Sequence, residues 1–275
     1  DSFFYNNKFY ITHLERFSFE IYLSSFTNKN DISTKKIGET AFPPKIFLNN
    51  NILNCFFKDK NKNTFSLKSI NLNDDKVEEI DGENDISFFD VSSSKNGYYS
   101  IIWQNEKDLK NFYISIINNE FTPLSNVNLL KFNQKVHPPK TLLNDKYFNL
   151  IFSIDYTNYY FRYPLGDDIR NYSQVKFPEE FHSYNMDFFT YLESIYIVIL
   201  KKTIENRLKE KSDIIEILFY DNNFDYCISR KITTIEGEIK NFSFATLNES
   251  LYLFWLEKIK DKSVIRSSKI IFSKE

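Results

Sequence analysis

The stretch from residue 86 to residue 119, ISFFDVSSSKNGYYSIIWQNEKDLKNFYISIINN, contains three strand-like runs separated by polar breaks. Phe88 to Val91, Tyr98 to Trp103 and Phe112 to Ile117 have the length and the aromatic and β-branched content of β-strands. Lys95-Asn96-Gly97, between the first two runs, has the composition of a tight hairpin turn. The stretch therefore predicts a meander of strands that begins a four-stranded unit.

A longer internal repeat shows that this unit recurs. PPKIFLNNNILNCFF, from Pro43 to Phe57, matches PPKTLLNDKYFNLIF, from Pro138 to Phe152, at seven of fifteen positions and at an offset of 95 residues. The opening stretch lies midway between the two copies, so one period is about half of that offset. Such a period is in the range of β-propeller blades.

Each repeat can be aligned on the residue that ends its second strand, called here the anchor residue. The anchors are Leu14, Phe57, Trp103, Phe152, Leu200 and Leu256. An apolar strand precedes each anchor, a third strand follows it after a polar loop, and most copies add a weaker fourth strand, as propeller blades do. A pair of stacked β-sandwiches would also use short strands, but the regular spacing favours the propeller.

We therefore expect an all-β chain that folds as one six-bladed β-propeller over residues 1–275, with about four antiparallel strands in each blade. The predicted blades cover roughly residues 3–40, 41–82, 83–130, 131–178, 179–236 and 237–275.

The repeats carry no diagnostic motif of a known repeat family. The ends of WD repeats and the double glycine of kelch repeats are absent, and Lys58 to Phe65, KDKNKNTF, keeps only the Thr-aromatic end of a sialidase Asp-box. The chain resembles β-propellers by its period. Its richness in Asn, Lys, Ile and Phe, together with that period, is similar to propeller domains of spirochaetal cell-envelope proteins or apicomplexan surface proteins. The resemblance implies a cell envelope or cell surface location, periplasmic or extracellular.

The composition limits the classes of partner and compartment that can be expected. The formal charge is -2 and the charged residues are interspersed, which gives no electrostatic reason to expect nucleic acid. The two cysteines, Cys55 and Cys227, lie in distant repeats and exclude a disulfide framework. No apolar run reaches the ~18 residues of a transmembrane helix. No export signal is present within these residues, and a further hypothesis is that they form one domain of a longer protein.

The fifth repeat is long because of a charged insertion, Lys201 to Asp213, between its second and third strands. A charged loop on the face that propellers use for binding is a candidate docking element, although long surface insertions also cost little stability. His137 and His182 lie in connections between blades on the same predicted face. The predicted binding residues are thus Lys201, Lys202, Glu205, Arg207, Lys209, Glu210, Lys211, His137 and His182.

No catalytic residue, metal site or cofactor is predicted, because the sequence lacks a phosphate loop, a CxxC pair and a GxSxG motif. The leading hypothesis is a non-enzymatic scaffold that binds a protein partner. The alternative is a glycan-binding lectin or glycoside hydrolase that uses a pocket on the propeller axis. The first strands of the repeats are mostly apolar, and Asp90 and Asp187 are the exceptions that the alternative would use.

Overall fold

The structure is a computed structural model, and every described segment is β-strand, turn or extended chain. It describes residues 2–15, 17–28, 31–40, 42–49, 52–59, 65–71, 75–80, 86–124, 128–154, 157–165, 173–176, 186–191, 194–202, 213–220, 227–234, 238–247 and 250–271. The all-β class predicted from the sequence is confirmed. No helix that could span a membrane occurs in these segments.

Six sheets follow one another along the chain. Sheet 1 contains β1 Ser2–Tyr5, β2 Lys8–Leu14, β3 Glu20–Phe26 and β4 Ile32–Glu39; sheet 2 contains β5 Lys45–Asn49, β6 Ile52–Lys58, β7 Phe65–Asn71 and β8 Asp75–Ile80; sheet 3 contains β9 Ile86–Ser93, β10 Tyr99–Asn105, β11 Asp108–Ile117 and β12 Asn128–Lys131. Sheet 4 contains β13 Lys140–Leu143, β14 Tyr147–Ile154, β15 Thr157–Pro164 and β16 Ser173–Lys176; sheet 5 contains β17 Met186–Tyr191, β18 Ser194–Lys202, β19 Asp213–Tyr220 and β20 Cys227–Thr234; sheet 6 contains β21 Glu238–Leu247, β22 Ser250–Ile259 and β23 Lys262–Ile270. In each sheet, strands that are consecutive in the chain are neighbours, so each sheet is a meander.

The turns between the first and second strands form where the sequence places residues that tolerate a left-handed backbone. Gly97 has a φ of 82°, and Asn6 and Asn7 have φ values of 51° and 59°. The Gly97 amide donates to the Ser94 carbonyl at 3.2 Å, which closes the turn before β10. These residues adopt that conformation at little steric cost, and the flanking runs then pair as hairpins.

The chain divides into two compact units, one of Asp1–Leu150 with Arg162–Tyr172 and the other of Ile151–Phe161 with Ser173–Glu275. The first unit contains sheets 1, 2 and 3 and part of sheet 4. The second contains the rest of sheet 4 with sheets 5 and 6.

In the first unit, the first strands of successive sheets lie side by side. β1 lies beside β5, β5 beside β9, and β9 beside β13. We call these four the inner strands. A row of first strands, each at the edge of its own sheet, is the arrangement of blades around a propeller axis.

Apolar side chains fill the space between neighbouring sheets of this unit. Tyr10 and Ile21 of sheet 1 belong to one buried cluster with Leu53 and Cys55 of sheet 2. A second cluster joins Phe56 of sheet 2 to sheet 3, where its ring lies 5.1 Å from the ring of Tyr99. Aromatic pairs of this kind add about 0.5–1.5 kcal/mol beyond their burial. The apolar side chains of these strands therefore hold neighbouring sheets of the unit together.

Candidate functional site

The predicted docking loop joins two strands as the sequence analysis expected. Lys201 and Lys202 end β18, and Lys202 pairs with Asp213 at the start of β19. The connection between the second and third strands of sheet 5 was expected, but Lys201 and Lys202 lie within β18 and pair with β19 instead of lying in the loop. A binding role for them stays a prediction. The remaining predicted loop residues, Glu205, Arg207, Lys209, Glu210 and Lys211, and also His182, lie outside the described residues.

His137 lies in the segment that leads from sheet 3 to sheet 4, and it is half-buried. Its neighbour Val136 is fixed to the hairpin of β10 and β11: the Val136 amide donates to the Leu109 carbonyl at 3.0 Å, and Gln104 Nε2 donates to the Val136 carbonyl at 3.4 Å. The connection is thus held in place by its backbone. A binding role for His137 stays a prediction.

A buried carboxylate connects three inner strands. Asp90, in the middle of β9, is 3% exposed. Its Oδ1 lies 3.0 Å from Nζ of Lys45 on β5, and its Oδ2 accepts hydrogen bonds from the amide and the hydroxyl of Thr141 on β13, at 3.0 Å and 3.3 Å. We call Lys45, Asp90 and Thr141 the inner-strand cluster. A buried charge needs such partners, because an unpaired carboxylate would lose its hydration without compensation.

The inner-strand cluster opens to solvent through one residue. The side chain of Lys45 is 30% exposed, whereas that of Asp90 is 5% exposed. The Lys45 side chain is therefore partly open to solvent, and the buried carboxylate holds its ammonium group in position. A positioned donor beside an acceptor is suited to a hydroxyl group, because a hydroxyl both accepts and donates hydrogen bonds.

Sequence reasoning singled out Asp90 but missed its partners. Lys45 pairs with Phe56 across the hairpin and Asp90 pairs with Ile102, and in both cases the paired residue immediately precedes the anchor. Lys45 and Asp90 therefore hold the same position in two successive repeats. A comparison of polar residues at equivalent positions of the first strands would have found this pair.

Asp187, the other exception on a first strand, lies in a different setting. It is half-buried on β17, opposite Val198, and its Oδ1 accepts a hydrogen bond from the Phe188 amide at 2.9 Å. Its position belongs to the second unit.

Sheet 1 carries a polar network on one face. Glu20 accepts hydrogen bonds from Lys36 Nζ at 2.5 Å and from the Tyr22 hydroxyl at 2.7 Å, and Lys36 also contacts Glu39 at 2.8 Å. The hydrogen bond from Lys36 holds the pKa of Glu20 at about 2, and the bond from Tyr22 acts in the same direction. The ring of Tyr22 stacks on His13 with centroids 5.5 Å apart. This face combines rings with fixed polar groups, and it is exposed in part.

Within the described residues, no group of three or more His, Cys, Asp or Glu side chains could hold a metal ion. The inner-strand cluster, Asp187 and the polar network of sheet 1 thus offer hydrogen bonds and ion pairs.

No protein-family model matches the chain, and no curated protein matches its sequence. Solved structures do match. The SapL1 lectin, solved in complex with alpha methyl fucoside, is similar with a TM-score of 0.58 and 8% identity over 98% of this chain and 91% of that one. A mutant of the Aleuria aurantia lectin in complex with Fucalpha1-6GlcNAc has a TM-score of 0.52 and 7% identity over 96% of this chain and 91% of that one.

A thermostable family-43 glycoside hydrolase is also similar, with a TM-score of 0.50 and 10% identity over 86% of this chain and 93% of that one. These lectins and hydrolases are β-propellers, so the comparisons support the propeller fold. They do not support the resemblance to spirochaetal or apicomplexan proteins.

The comparisons correct the functional expectation. A non-enzymatic scaffold for a protein partner was the leading hypothesis, and it is wrong against neighbours that are glycan-binding lectins and glycoside hydrolases. The expectation that the chain is not an enzyme is contradicted by the same hydrolase neighbours. The inner-strand cluster could not be recognised in the sequence because Lys45, Asp90 and Thr141 come from different repeats and form no local motif.

Proposed function

We propose that the protein is a carbohydrate-binding β-propeller in which the six sheets form six blades of one domain. The observation that carries the proposal is the match of nearly the whole chain to a lectin in complex with a fucoside. The row of inner strands in the first unit agrees with that fold. A function outside the cell or at its surface fits a glycan ligand and agrees with the location expected from the sequence.

The inner-strand cluster supplies a binding site of the right chemistry. Asp90 holds the Lys45 ammonium group at 3.0 Å, and the Lys45 side chain is partly open to solvent. The two charges cancel, which favours a neutral ligand with hydroxyl groups over an anion. Lys45 would donate to a sugar oxygen, and the fixed geometry reduces the entropy lost on binding.

A second candidate function is hydrolysis of a glycosidic bond at the same cluster. It is favoured by the similarity to the family-43 hydrolase and by a carboxylate, Asp90, on an inner strand. Glycosidases use two carboxyl groups that are ~5–10 Å apart, of which Asp90 would supply one.

A glycan array followed by calorimetry on the best ligand tests the first proposal. We expect binding by the wild-type protein and a loss of at least tenfold in affinity for Lys45→Met. Lys8→Met is the matched control, because Lys8 is an exposed lysine at the start of a strand in the same unit. Absence of binding to every glycan, or equal affinity in all three proteins, would overturn the proposal.

Hydrolysis is tested on the same ligands by NMR detection of released reducing sugar. Turnover by the wild-type protein that is lost in Asp90→Asn, with circular dichroism showing a folded variant, would establish the hydrolase. Binding without turnover would assign the site to a lectin.

A further inference from the structure

Sheet 6 contains a polar cluster that the inner strands do not include. Trp255 on β22 pairs directly with Arg266 on β23, and Glu257 lies two residues further along β22. Residues two apart in a strand point to the same face, so the three side chains share one face of the sheet. We call Trp255, Glu257 and Arg266 the sheet 6 cluster.

The carboxylate of this cluster is buried, whereas the arginine side chain is exposed in part. Glu257 is 3% exposed, and its Oε2 lies 3.2 Å from Nε of Arg266, whose side chain is 47% exposed. The ion pair thus neutralises a charge that could not be buried alone.

The indole of Trp255 provides an independent observation. Trp255 is 8% exposed, and its Nε1 is a buried donor with no hydrogen-bond partner. Nearly all buried donors in folded proteins have a partner, which can be protein, ordered water or a ligand. Because such a donor needs a partner, the indole beside a half-exposed arginine and a neutralised carboxylate is a candidate position for binding an oxygen-bearing group.

We propose that the sheet 6 cluster is a second saccharide site, specific for the hydroxyl groups of a neutral sugar. Arg266 and Trp255 donate to sugar oxygens, and Glu257 accepts from a sugar hydroxyl, which matches the two-way character of that group. The cluster has no net charge, so it gives no reason to prefer a phosphate or a uronic acid. The inference rests on the proposed carbohydrate ligand, but its residues are separate from those of the inner-strand cluster.

The two tryptophans of the chain allow this site to be observed directly. In Trp103→Phe the only remaining indole is Trp255, so its fluorescence reports on sheet 6. We expect titration with methyl α-fucoside and with methyl β-galactoside to shift or quench this emission for at least one of the two sugars. Adding Arg266→Ala should lower the affinity measured by this signal at least tenfold.

Two further variants separate recognition from folding. Lys269→Ala removes a positive charge from the same strand, at a residue paired with Tyr252 and outside the cluster, and should leave the titration unchanged. Glu257→Gln keeps the shape of the side chain and should weaken binding even if Arg266→Ala does not fold. Circular dichroism verifies the fold of each variant.

Calorimetry distinguishes failure of this inference from failure of the proposed function. Two sugar sites in the wild type and one in Arg266→Ala or Glu257→Gln would support the proposal. The sheet 6 site would be refuted if Arg266→Ala and Glu257→Gln bound as many sugars as the wild type, with the same fluorescence response, while Lys45→Met abolished binding. The proposed carbohydrate function would then still stand. No binding of either sugar, and none on a glycan array, would overturn both.

Discussion

Asp90 links three strands: it belongs to β9, and its carboxylate contacts Lys45 on β5 and Thr141 on β13. Asp90→Asn keeps the shape but loses the charge that balances Lys45. We expect a loss of about 2–3 kcal/mol in the free energy of unfolding, as measured by urea denaturation. Thr141→Val removes only the hydroxyl bond and should cost about 1 kcal/mol.

A double-mutant cycle decides whether the effect belongs to the ion pair. Lys45→Met in the Asp90→Asn background should cost less than Lys45→Met alone, since the buried charge has already been removed. Purely additive losses would show that Asp90 contributes through its hydrogen bonds to Thr141 instead.

The ion pair of Glu20 predicts how the stability of the fold depends on pH. The hydrogen bond from Lys36 lowers the pKa of Glu20 from 4.5 to about 2 in the folded protein. A depressed folded pKa contributes stability above the unfolded value, and this contribution is lost as the pH falls from about 4.5 to about 2. Wild-type stability should therefore fall more steeply than that of Glu20→Gln in this window, as followed by urea denaturation at each pH.

An NMR titration of the Glu20 side chain provides the direct check. In Lys36→Met the pKa of Glu20 should move back toward its ordinary value. If it stays at about 2 in that variant, Lys36 is not the cause of the shift.

At the scale of single elements, the hairpin before β10 shows how far local sequence determines structure. Gly97 has a φ of 82°, and a Cβ atom there would collide with the end of the exposed Asn119 side chain. Gly97→Ala should therefore destabilise the fold by about 1–2 kcal/mol through backbone strain and this clash. The loss is measured by thermal or urea denaturation.

The two causes can be separated with Asn119→Ala. If the clash contributes, Gly97→Ala should cost less in the Asn119→Ala background than in the wild type. An identical cost in both backgrounds would assign the whole loss to the left-handed backbone.

The strands and turns were predictable because each depends on residues that are neighbours in the sequence. Asn6, Asn7 and Gly97 mark turns, and the apolar runs before the anchors become the second strands of the sheets. The candidate sites were not predictable in this way. Asp90 and Lys45 lie 45 residues apart in the sequence, and their contact depends on β5 and β9 lying side by side. The sequence likewise does not show that the sheet 6 cluster exists. The burial of Glu257 and the unpartnered indole donor of Trp255 are properties of the folded sheet.

At the scale of the whole molecule, the proposed single propeller and the two compact units lead to different unfolding behaviour. Six blades in one closed ring share their packing, so the chain should unfold in one cooperative transition, whereas two independent units can unfold separately. Trp103 lies in the first unit and Trp255 in the second. Each therefore reports on one unit when the other tryptophan is replaced.

We expect Trp103→Phe and Trp255→Phe each to show one urea transition, with the fluorescence midpoint equal to the midpoint by far-UV circular dichroism in the same protein. The comparison is made within each variant, because both substitutions replace a buried indole by a smaller ring and therefore shift the midpoint themselves. A fluorescence transition that precedes or follows the circular dichroism transition would show that the units unfold independently. The proposal of a single six-bladed ring would then be wrong. Each unit would be stable by itself, and carbohydrate sites would have to be sought within each unit.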